Sequence, residues 1–179
     1  MALKATIFKA SLQVSDMDRN YYGEHSLTLA RHPSETDERM MMRLLAFALN
    51  AHERLEFGKG LSDTDEPDLW QKDLTGSIVH WIEVGLPEEK RLIRASGRAD
   101  RVTVYAYGRG ADLWWMSSAE RLARAKNLTV WRVPDDMSDS LGRLAERSMR
   151  LQCTVQERHI WIGSSAATVE VEMTMYRAE

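Results

Sequence analysis

The segment DEPDLWQKDLTGSIVHWIEVGLP, residues 65–87, places one acidic residue before a short apolar stretch and another inside a longer one. The first is Asp68, and the second is Glu83, which lies between Ile82 and Val84. A carboxylate is costly to bury alone, so a buried one is usually protonated, paired with a cation or bound to a metal ion. The kind of compensation therefore decides whether this segment is a reactive site or a structural one.

The second apolar stretch, residues 77–84, has the pattern of a β-strand that ends at a Gly-Leu-Pro turn and leads into a helix. Ligands of open α/β sheets gather at the carboxyl ends of strands, which is where Glu83 lies. A hairpin-like return from the segment 68–71 would bring Asp68 beside Glu83. Two adjacent carboxylates repel each other, and a shared Mg²⁺ ion is one way to relieve that repulsion.

The flanking sequence predicts a mixed α/β protein. Alternating apolar residues at 3–14 and 24–31 predict an N-terminal β-hairpin, and a helix is predicted from the N-cap Ser34 to about Glu53. Residues 149–175 predict a three-stranded meander. Between them, strands are predicted at 68–71, 77–84, 101–107 and 128–133. Helices are predicted at 87–99, 118–126 and 136–147, and residues 112–116 are compatible with either a strand or a helix.

The alternation of strands and helices in the middle of the chain predicts parallel pairing and a three-layer core. Antiparallel strands are expected at both ends. We therefore expect an α/β fold with a mixed sheet flanked by helices, within a single domain over residues 1–179, and it stays open whether the terminal strands complete that sheet.

The composition limits the classes of function. The net charge of −3 provides no overall attraction to nucleic acid, so a nucleic-acid partner requires a local basic patch. The single cysteine, Cys153, excludes an internal disulfide and fits a reducing cytoplasm. No stretch approaches the roughly eighteen apolar residues of a membrane span, and the N-terminus lacks the apolar run of a signal peptide. The expectation is a cytoplasmic protein without a membrane partner.

Several longer motifs resemble those of a known family. MALKATIFKA, SLTLARHPSETDERMMMRLLAF, DEPDLW, WIEVGLP, LWW and LTVWRV are similar to segments of the bacterial YaeQ family. The resemblance covers most of the chain and implies the PD-(D/E)XK fold, which is restriction-endonuclease-like. It implies a nuclease-like core at about 34–134, with the hairpin 1–32 and the meander 149–177 as additions.

The resemblance also implies a set of site residues. The motif EPD, which ends at Asp68, corresponds to the first half of the signature, and Glu83 corresponds to its second acid. Glu38 corresponds to the acidic residue on the first core helix. These three carboxylates would bind Mg²⁺ or Mn²⁺, and a metal-activated water would attack a phosphodiester of nucleic acid.

The sequence departs from this signature at one position. The signature has a lysine two residues after the second acid, and this chain has Gly85. We expect Lys90, at the start of the next helix, to supply the missing catalytic cation, with Arg91 and Lys72 as the alternatives. The residues expected to bind phosphate are Arg91, Arg94 and Lys72.

A structural interpretation of the same residues stays open. Glu83 would then pair with Arg91 or Arg94, and Asp68 would cap a turn after Pro67. The basic side chains would cover apolar surface and face solvent. The protein would then be a catalytically inactive member of the nuclease fold that binds nucleic acid or another protein.

Other catalytic classes find no support in the sequence. His80 faces away from Glu83 in a regular strand and is expected to be a packed histidine rather than a base. The remaining histidines and Cys153 lack zinc-ligand spacing. The chain has no GxSxG elbow and no GxxxxGK phosphate loop, and no small-molecule organic cofactor is predicted. The oligomeric state is left open.

Overall fold

The structure is a computed structural model that describes residues 4–59, 61 and 63–177. The predicted start of the first strand at residue 3 lies outside these residues. The chain forms two compact units, the first comprising Met1–Ala51 and Asp136–Glu172 and the second His52–Asp135 and Met173–Glu179. Each unit contains a mixed sheet, so the α/β class is confirmed. The single domain and the core boundaries at 34–134 stay predictions.

The described residues contain eleven strands and four helices. None of these helices is both long enough and apolar enough to cross a membrane. The strands are β1 (Thr6–Asp16), β2 (Tyr21–Arg31), β3 (Leu55–Phe57), β4 (Leu69–Lys72), β5 (Ile78–Val84), β6 (Ala99–Ala106), β7 (Leu128–Arg132), β8 (Ser148–Gln156), β9 (His159–Gly163), β10 (Thr168–Val171) and β11 (Thr174–Arg177). The helices are α1 (Asp37–Leu49), α2 (Glu89–Arg98), α3 (Ala111–Leu122) and α4 (Asp135–Gly142).

The first unit contains a five-stranded sheet in the order β10-β9-β8-β1-β2. The pair β1–β8 is parallel, and the other pairs are antiparallel. The alternation seen in the sequence is confirmed, because Phe8, Leu12, Val14 and Leu29 are all buried on one face. That face belongs to the core of the unit, and α1 packs against β1 and β2.

The start of α1 differs from the prediction. The N-cap is Thr36 rather than Ser34, and its hydroxyl accepts a hydrogen bond from the backbone N–H of Arg39 at 3.1 Å. Glu35, which would lie in the first turn if Ser34 were the N-cap, precedes the helix and is buried against Arg43. The helix ends at Leu49, before the predicted end at Glu53. The boundary shifted because a buried ion pair takes one of the acids that favour a helix N-terminus.

The second unit contains a six-stranded sheet in the order β11-β7-β6-β5-β4-β3. Strands β5, β6 and β7 are parallel, so the predicted parallel pairing is confirmed. The two connections between them are α2 and α3, which pack against each other. The core includes Trp81, Leu92, Val104, Leu122 and Leu128.

The structure differs from the predictions in three other details. The strand predicted up to residue 175 divides into β10 in the first sheet and β11 in the second. The ambiguous residues 112–116 begin a single helix, α3, which ends at Leu122 rather than at residue 126. Strand β3 was missed because three residues are too few to show an alternating pattern.

Candidate functional site

The two acids of the opening segment lie on neighbouring antiparallel strands. In the pairing of β4 with β5, Leu69 is opposite Ile82 and Trp70 is opposite Trp81. Continuing this register by one residue places Asp68 opposite Glu83, on the face that carries the two tryptophans. Side chains at directly opposed positions have Cβ atoms about 4.5–5.5 Å apart. The structure therefore brings the two predicted acids together, and both are buried, with exposed fractions of 1% and 4%.

Asp68 is held by backbone groups on both sides. Its Oδ2 accepts a hydrogen bond from the backbone N–H of Val84 at 2.9 Å, and its carbonyl oxygen accepts one from Gly58 N–H at 2.9 Å. The carboxylate thus ties the start of β4 to the carboxyl end of β5. This is a cross-strand contact, in contrast to the turn cap that the structural interpretation allowed.

Glu83 is an acid whose charge is partly compensated. Its Oε1 accepts hydrogen bonds from Trp81 Nε1 at 2.8 Å and from Arg91 Nε at 2.6 Å. Burial and, after it, the negative charge of Asp68 raise the pKa of Glu83, whereas Arg91 and the Trp81 hydrogen bond lower it, and together they place the pKa at about 7. The carboxyl therefore changes protonation state near neutral pH, which is typical of functional sites but also occurs in structural ion pairs.

This raised pKa predicts a pH dependence of stability. Between the ordinary value of 4.5 and about 7, the folded state binds more protons at Glu83 than the unfolded state does. The contribution of Glu83 to the free energy of unfolding should therefore fall by about 3 kcal/mol as the pH rises through this window. Because Glu83→Gln resembles the protonated form, it should remove this loss in urea titrations at a series of pH values. Parallel curves for the two proteins would show that Glu83 has an ordinary pKa.

Arg91 connects Glu83 to the segment that leads into Asp68. Besides its contact with Glu83, its guanidinium donates from Nη2 to the carbonyl oxygen of Glu66 at 2.7 Å and from Nη1 to the carbonyl oxygen of Thr64. These carbonyls lie two and four residues before Asp68 in the sequence. Arg91 was predicted to bind phosphate, but in this structure its donors contact the protein. Of the two pairings left open for Glu83, the one with Arg91 is present.

The other predicted cations lie around the tryptophan pair or on the surface. Trp70 and Trp81 pack edge to face with ring centroids 6.1 Å apart. Lys72 Nζ lies 3.8 Å from the centroid of Trp70, which is a cation–π contact. Lys90 and Arg94 are exposed on α2. Their predicted catalytic and phosphate-binding roles stay predictions.

The third predicted acid, Glu38, belongs to the first unit, whereas Asp68 and Glu83 belong to the second. Its Oε1 accepts a hydrogen bond from the hydroxyl of Ser138, on α4, at 2.6 Å. Within the described part of the chain, no group of three or more His, Cys, Asp or Glu side chains is arranged to hold a metal ion. The role of Glu38 as a metal ligand stays a prediction.

The backbone conformation explains why residue 85 is glycine, at the position where the signature has a lysine. Gly85 has φ +98°, in the left-handed region, where a side chain introduces strain. Its N–H donates to the carbonyl oxygen of Tyr105 at 3.0 Å, which extends the pairing of β5 with β6. The chain leaves β5 in a conformation that disfavours lysine at this position.

We therefore expect Gly85→Lys to lower the free energy of unfolding by about 1–2 kcal/mol, because lysine would have to adopt a positive φ. Urea denaturation would measure the difference. The matched control is Gly97→Lys, at an exposed helical position of α2 with open space around the glycine, where replacement of glycine should be neutral or stabilising. Equal stabilities for the two variants would contradict the strain at residue 85.

His80 is a packed histidine, as predicted. It is buried, its Nε2 lies 2.7 Å from the hydroxyl of Thr103, and its Nδ1 lies 3.2 Å from Arg101 Nη2. Burial and, after it, the positive charge of Arg101 together lower the pKa of His80 to about 3. The neutral ring is on the opposite face of β5 from Glu83, because neighbouring residues of a strand alternate.

One residue near the site was not recognised from the sequence. A Cβ atom on Gly58 would lie 2.0 Å from the carbonyl oxygen of Pro67, next to Asp68. This close approach requires glycine and positions the segment that carries the first acid. In the sequence, Gly58 was interpretable only as a break between elements, because nothing in the local pattern indicates which distant backbone approaches it.

The fold and the site together define a mixed α/β protein with a buried cross-strand carboxylate pair contacted by an arginine. The family model described as YaeQ protein matches residues 1–173. The chain is 45% identical to the uncharacterized protein YaeQ of Salmonella typhi over 178 residues, which cover 99% of this chain and 98% of that protein. Its counterpart in Escherichia coli K12 is 44% identical with the same coverage. The chain belongs to the YaeQ family.

Two solved structures share the whole fold. The YaeQ protein of Xanthomonas axonopodis pv. citri matches with a TM-score of 0.94 and 45% identity, covering 98% of this chain and 99% of that one. The YaeQ protein of Pseudomonas syringae matches with a TM-score of 0.94 and 37% identity, covering 98% and 97%. The family resemblance found in the sequence motifs is thus confirmed.

Proposed function

We propose that this protein is a metal-dependent phosphodiesterase of the PD-(D/E)XK nuclease-like class that acts on nucleic acid. Asp68 and Glu83 would be the protein ligands of Mg²⁺ or Mn²⁺. The observation that carries the proposal is the burial of both carboxylates at opposed positions of adjacent strands, where the charge of Asp68 raises the pKa of Glu83. A shared divalent cation relieves this repulsion.

The chemistry of the two side chains fits such a cation. Mg²⁺ prefers oxygen ligands, often takes one or two carboxylates and keeps several waters. The Val84 N–H and the Trp81 indole N–H orient one oxygen of each carboxylate, as outer-shell donors do in metal sites. When bound, the cation would activate a water for attack on phosphorus.

Arg91 is the described cation that fits the place of the missing lysine. Its positively charged guanidinium contacts Glu83 directly. In this proposal it holds Glu83 in position and offsets negative charge beside the carboxylate pair. Lys90 as catalytic cation, Arg94 and Lys72 as phosphate ligands and Glu38 as third metal ligand remain parts of the proposal.

A second candidate function is a non-catalytic binding protein with the nuclease-like fold. It is favoured by the same contact, because a guanidinium 2.6 Å from Glu83 already offsets one of the two charges. In that case the acids and Arg91 would only join β4, β5 and α2. The partner would be nucleic acid or another protein.

Thermal unfolding in Mg²⁺ and Mn²⁺ separates the two functions. A metal that binds the folded state raises Tm with increasing concentration, and the rise should be larger at pH 8 than at pH 6 because the cation needs ionised Glu83. Asp68→Asn should abolish the rise. Asp100→Asn, which changes an exposed aspartate of the same unit, should retain it.

Cleavage is then tested on single- and double-stranded DNA and RNA with added Mn²⁺. We expect turnover by the natural protein and by Asp100→Asn, and none by Glu83→Gln. A protein that shows neither a metal-dependent Tm nor cleavage would contradict the phosphodiesterase and support the binding protein.

A further inference from the structure

The solvent-facing side of the five-stranded sheet carries two aromatic side chains in one row that runs across the strands. Across four adjacent strands, Trp161 is opposite Thr154, Thr154 is opposite Ser15, and Ser15 is opposite Tyr22. Tyr22 is 61% exposed, and the ring of His159 stacks on Trp161 with centroids 5.7 Å apart and an interplanar angle of 20°. Large aromatic rings are more often found in a core than on a solvated sheet face.

Two further rows on the same face are basic and rich in hydroxyl groups. One row contains Arg150, Ser11 and Ser26, and the next contains Ser148, Lys9 and Thr28. All six residues line a shallow depression of about 270 Å³. Lys9 Nζ donates to the Thr28 hydroxyl at 2.8 Å, which holds the ammonium group over the sheet. Two cations among hydroxyl donors form a surface that is complementary to phosphate.

We propose that this face of the first sheet binds single-stranded nucleic acid. Bases would stack on Tyr22 and on the His159–Trp161 pair, while Lys9 and Arg150 would contact backbone phosphates. Aromatic stacking beside a basic track is how sheet surfaces bind single strands. Bases in a duplex are already stacked on each other, so rings on an open sheet face favour an unpaired strand.

The dimensions and the charges of the face agree with this ligand. Four strands at about 4.8 Å separation place the two aromatic positions about 14 Å apart, and the four steps from Ser15 to Ser11 cover about 14 Å along a strand. Two acids lie on the same face, Glu24 on β2 and Glu170 on β10, where His159 Nδ1 is 3.7 Å from Glu170 Oε1. These carboxylates disfavour phosphate beside the aromatic row, so the backbone contacts concentrate at Lys9 and Arg150.

The test is fluorescence anisotropy with labelled oligo(dT) and oligo(U) of about twelve nucleotides, a length within the usual site sizes. EDTA is present throughout, so no metal or hydrolysis is involved. We expect the full chain to bind, and Tyr22→Ala to weaken binding about tenfold, consistent with the loss of one stacked base. Tyr22→Phe keeps the ring and should bind like the natural protein.

The phosphate contacts are tested by the salt dependence of the affinity. The double variant Lys9→Gln/Arg150→Gln should reduce the slope of log K against log salt by about 1.4, since each neutralised phosphate contributes about 0.7 for single strands. Arg143→Gln, which removes an exposed arginine directly after α4 in the same unit, should leave the slope unchanged.

Two results would overturn the proposal. One is the absence of binding at about 100 µM protein, the weak end of non-specific affinity. The other is equal affinity of Tyr22→Ala and Tyr22→Phe, which would show that the aromatic row takes no part. Asp68→Asn and Glu83→Gln should bind these oligonucleotides normally in EDTA. A protein without phosphodiesterase activity can therefore still bind single strands on this face, and a protein that does not bind them here can still be a phosphodiesterase.

Discussion

Replacement of Arg91 by alanine is expected to lower the free energy of unfolding by about 3 kcal/mol at pH 8. The change removes a charge-assisted hydrogen bond to a buried carboxylate, and hydrogen bonds to charged groups contribute about 1.5–3 kcal/mol each. It also leaves the carbonyl oxygens of Thr64 and Glu66 without this donor. Because Arg91 joins Glu83 to the segment before Asp68, the same variant should lose metal-dependent stabilisation.

The loss should be smaller at pH 5 than at pH 8. Arg91 lowers the pKa of Glu83, so the variant has a still higher pKa, and Glu83 stays protonated further into the neutral range. At pH 5 both proteins hold a neutral Glu83, so the variant loses only hydrogen bonds from the Arg91 guanidinium to uncharged oxygen atoms. Urea denaturation at the two pH values measures this difference.

Arg94→Ala is the matched control for Arg91→Ala, because Arg94 is an exposed arginine on the same helix. A surface substitution of this kind should change stability by no more than about 0.5 kcal/mol. Equal effects of the two substitutions at both pH values would mean that the contact between Arg91 and Glu83 contributes nothing to stability.

Replacement of Glu35 by alanine is expected to cost about 3–5 kcal/mol, the range observed when one partner of a buried ion pair is removed. Glu35 accepts two hydrogen bonds from Arg43, at 2.6 Å from Nη2 and 3.0 Å from Nε, and one from Arg39 at 2.7 Å. Both members of the main pair are buried, with exposed fractions of 7% for Glu35 and 5% for Arg43. The substitution would leave a buried guanidinium without its carboxylate.

Two comparisons test this explanation in urea denaturation. Asp37→Ala removes a neighbouring acid whose pair with Arg31 is much more exposed, and it should cost no more than about 1 kcal/mol. The double variant Glu35→Leu/Arg43→Met should recover most of the loss, because it removes both members of the buried pair and so leaves no guanidinium of that pair without its carboxylate. If the double variant is as unstable as Glu35→Ala, the loss of stability comes from packing rather than from an unpaired charge.

Much of the fold was predictable where burial imposes a simple period. The buried positions Phe8, Leu12 and Val14 recur every second or fourth residue in β1, and the pattern does not depend on which strand lies beside it. The partition into two sheets was not predictable in this way. Strand β1 pairs in parallel with β8, more than a hundred residues later, and the alternating pattern of either strand is compatible with many partners.

The candidate site, like the fold, was predictable from the sequence only in part. The position of Asp68 before one strand and of Glu83 at the end of the next was sufficient to predict their convergence, since a hairpin-like return joins them within 15 residues. The sequence did not show whether Arg91 or Arg94 is the partner of Glu83. It depends on the rotation of α2 about its axis, which is set by the packing of Leu92 and Ala95 in the core.

The amino-acid sequence by itself determined the α/β class, the family and the two acids that face each other, because these follow from local periodicity, from long motifs and from a short-range return of the chain. Only the tertiary structure decided that an arginine contacts Glu83, that Gly85 has a left-handed backbone conformation and that aromatic and basic side chains share one face of the first sheet. These features depend on strand register and helix rotation, which arise from contacts between residues far apart in the chain.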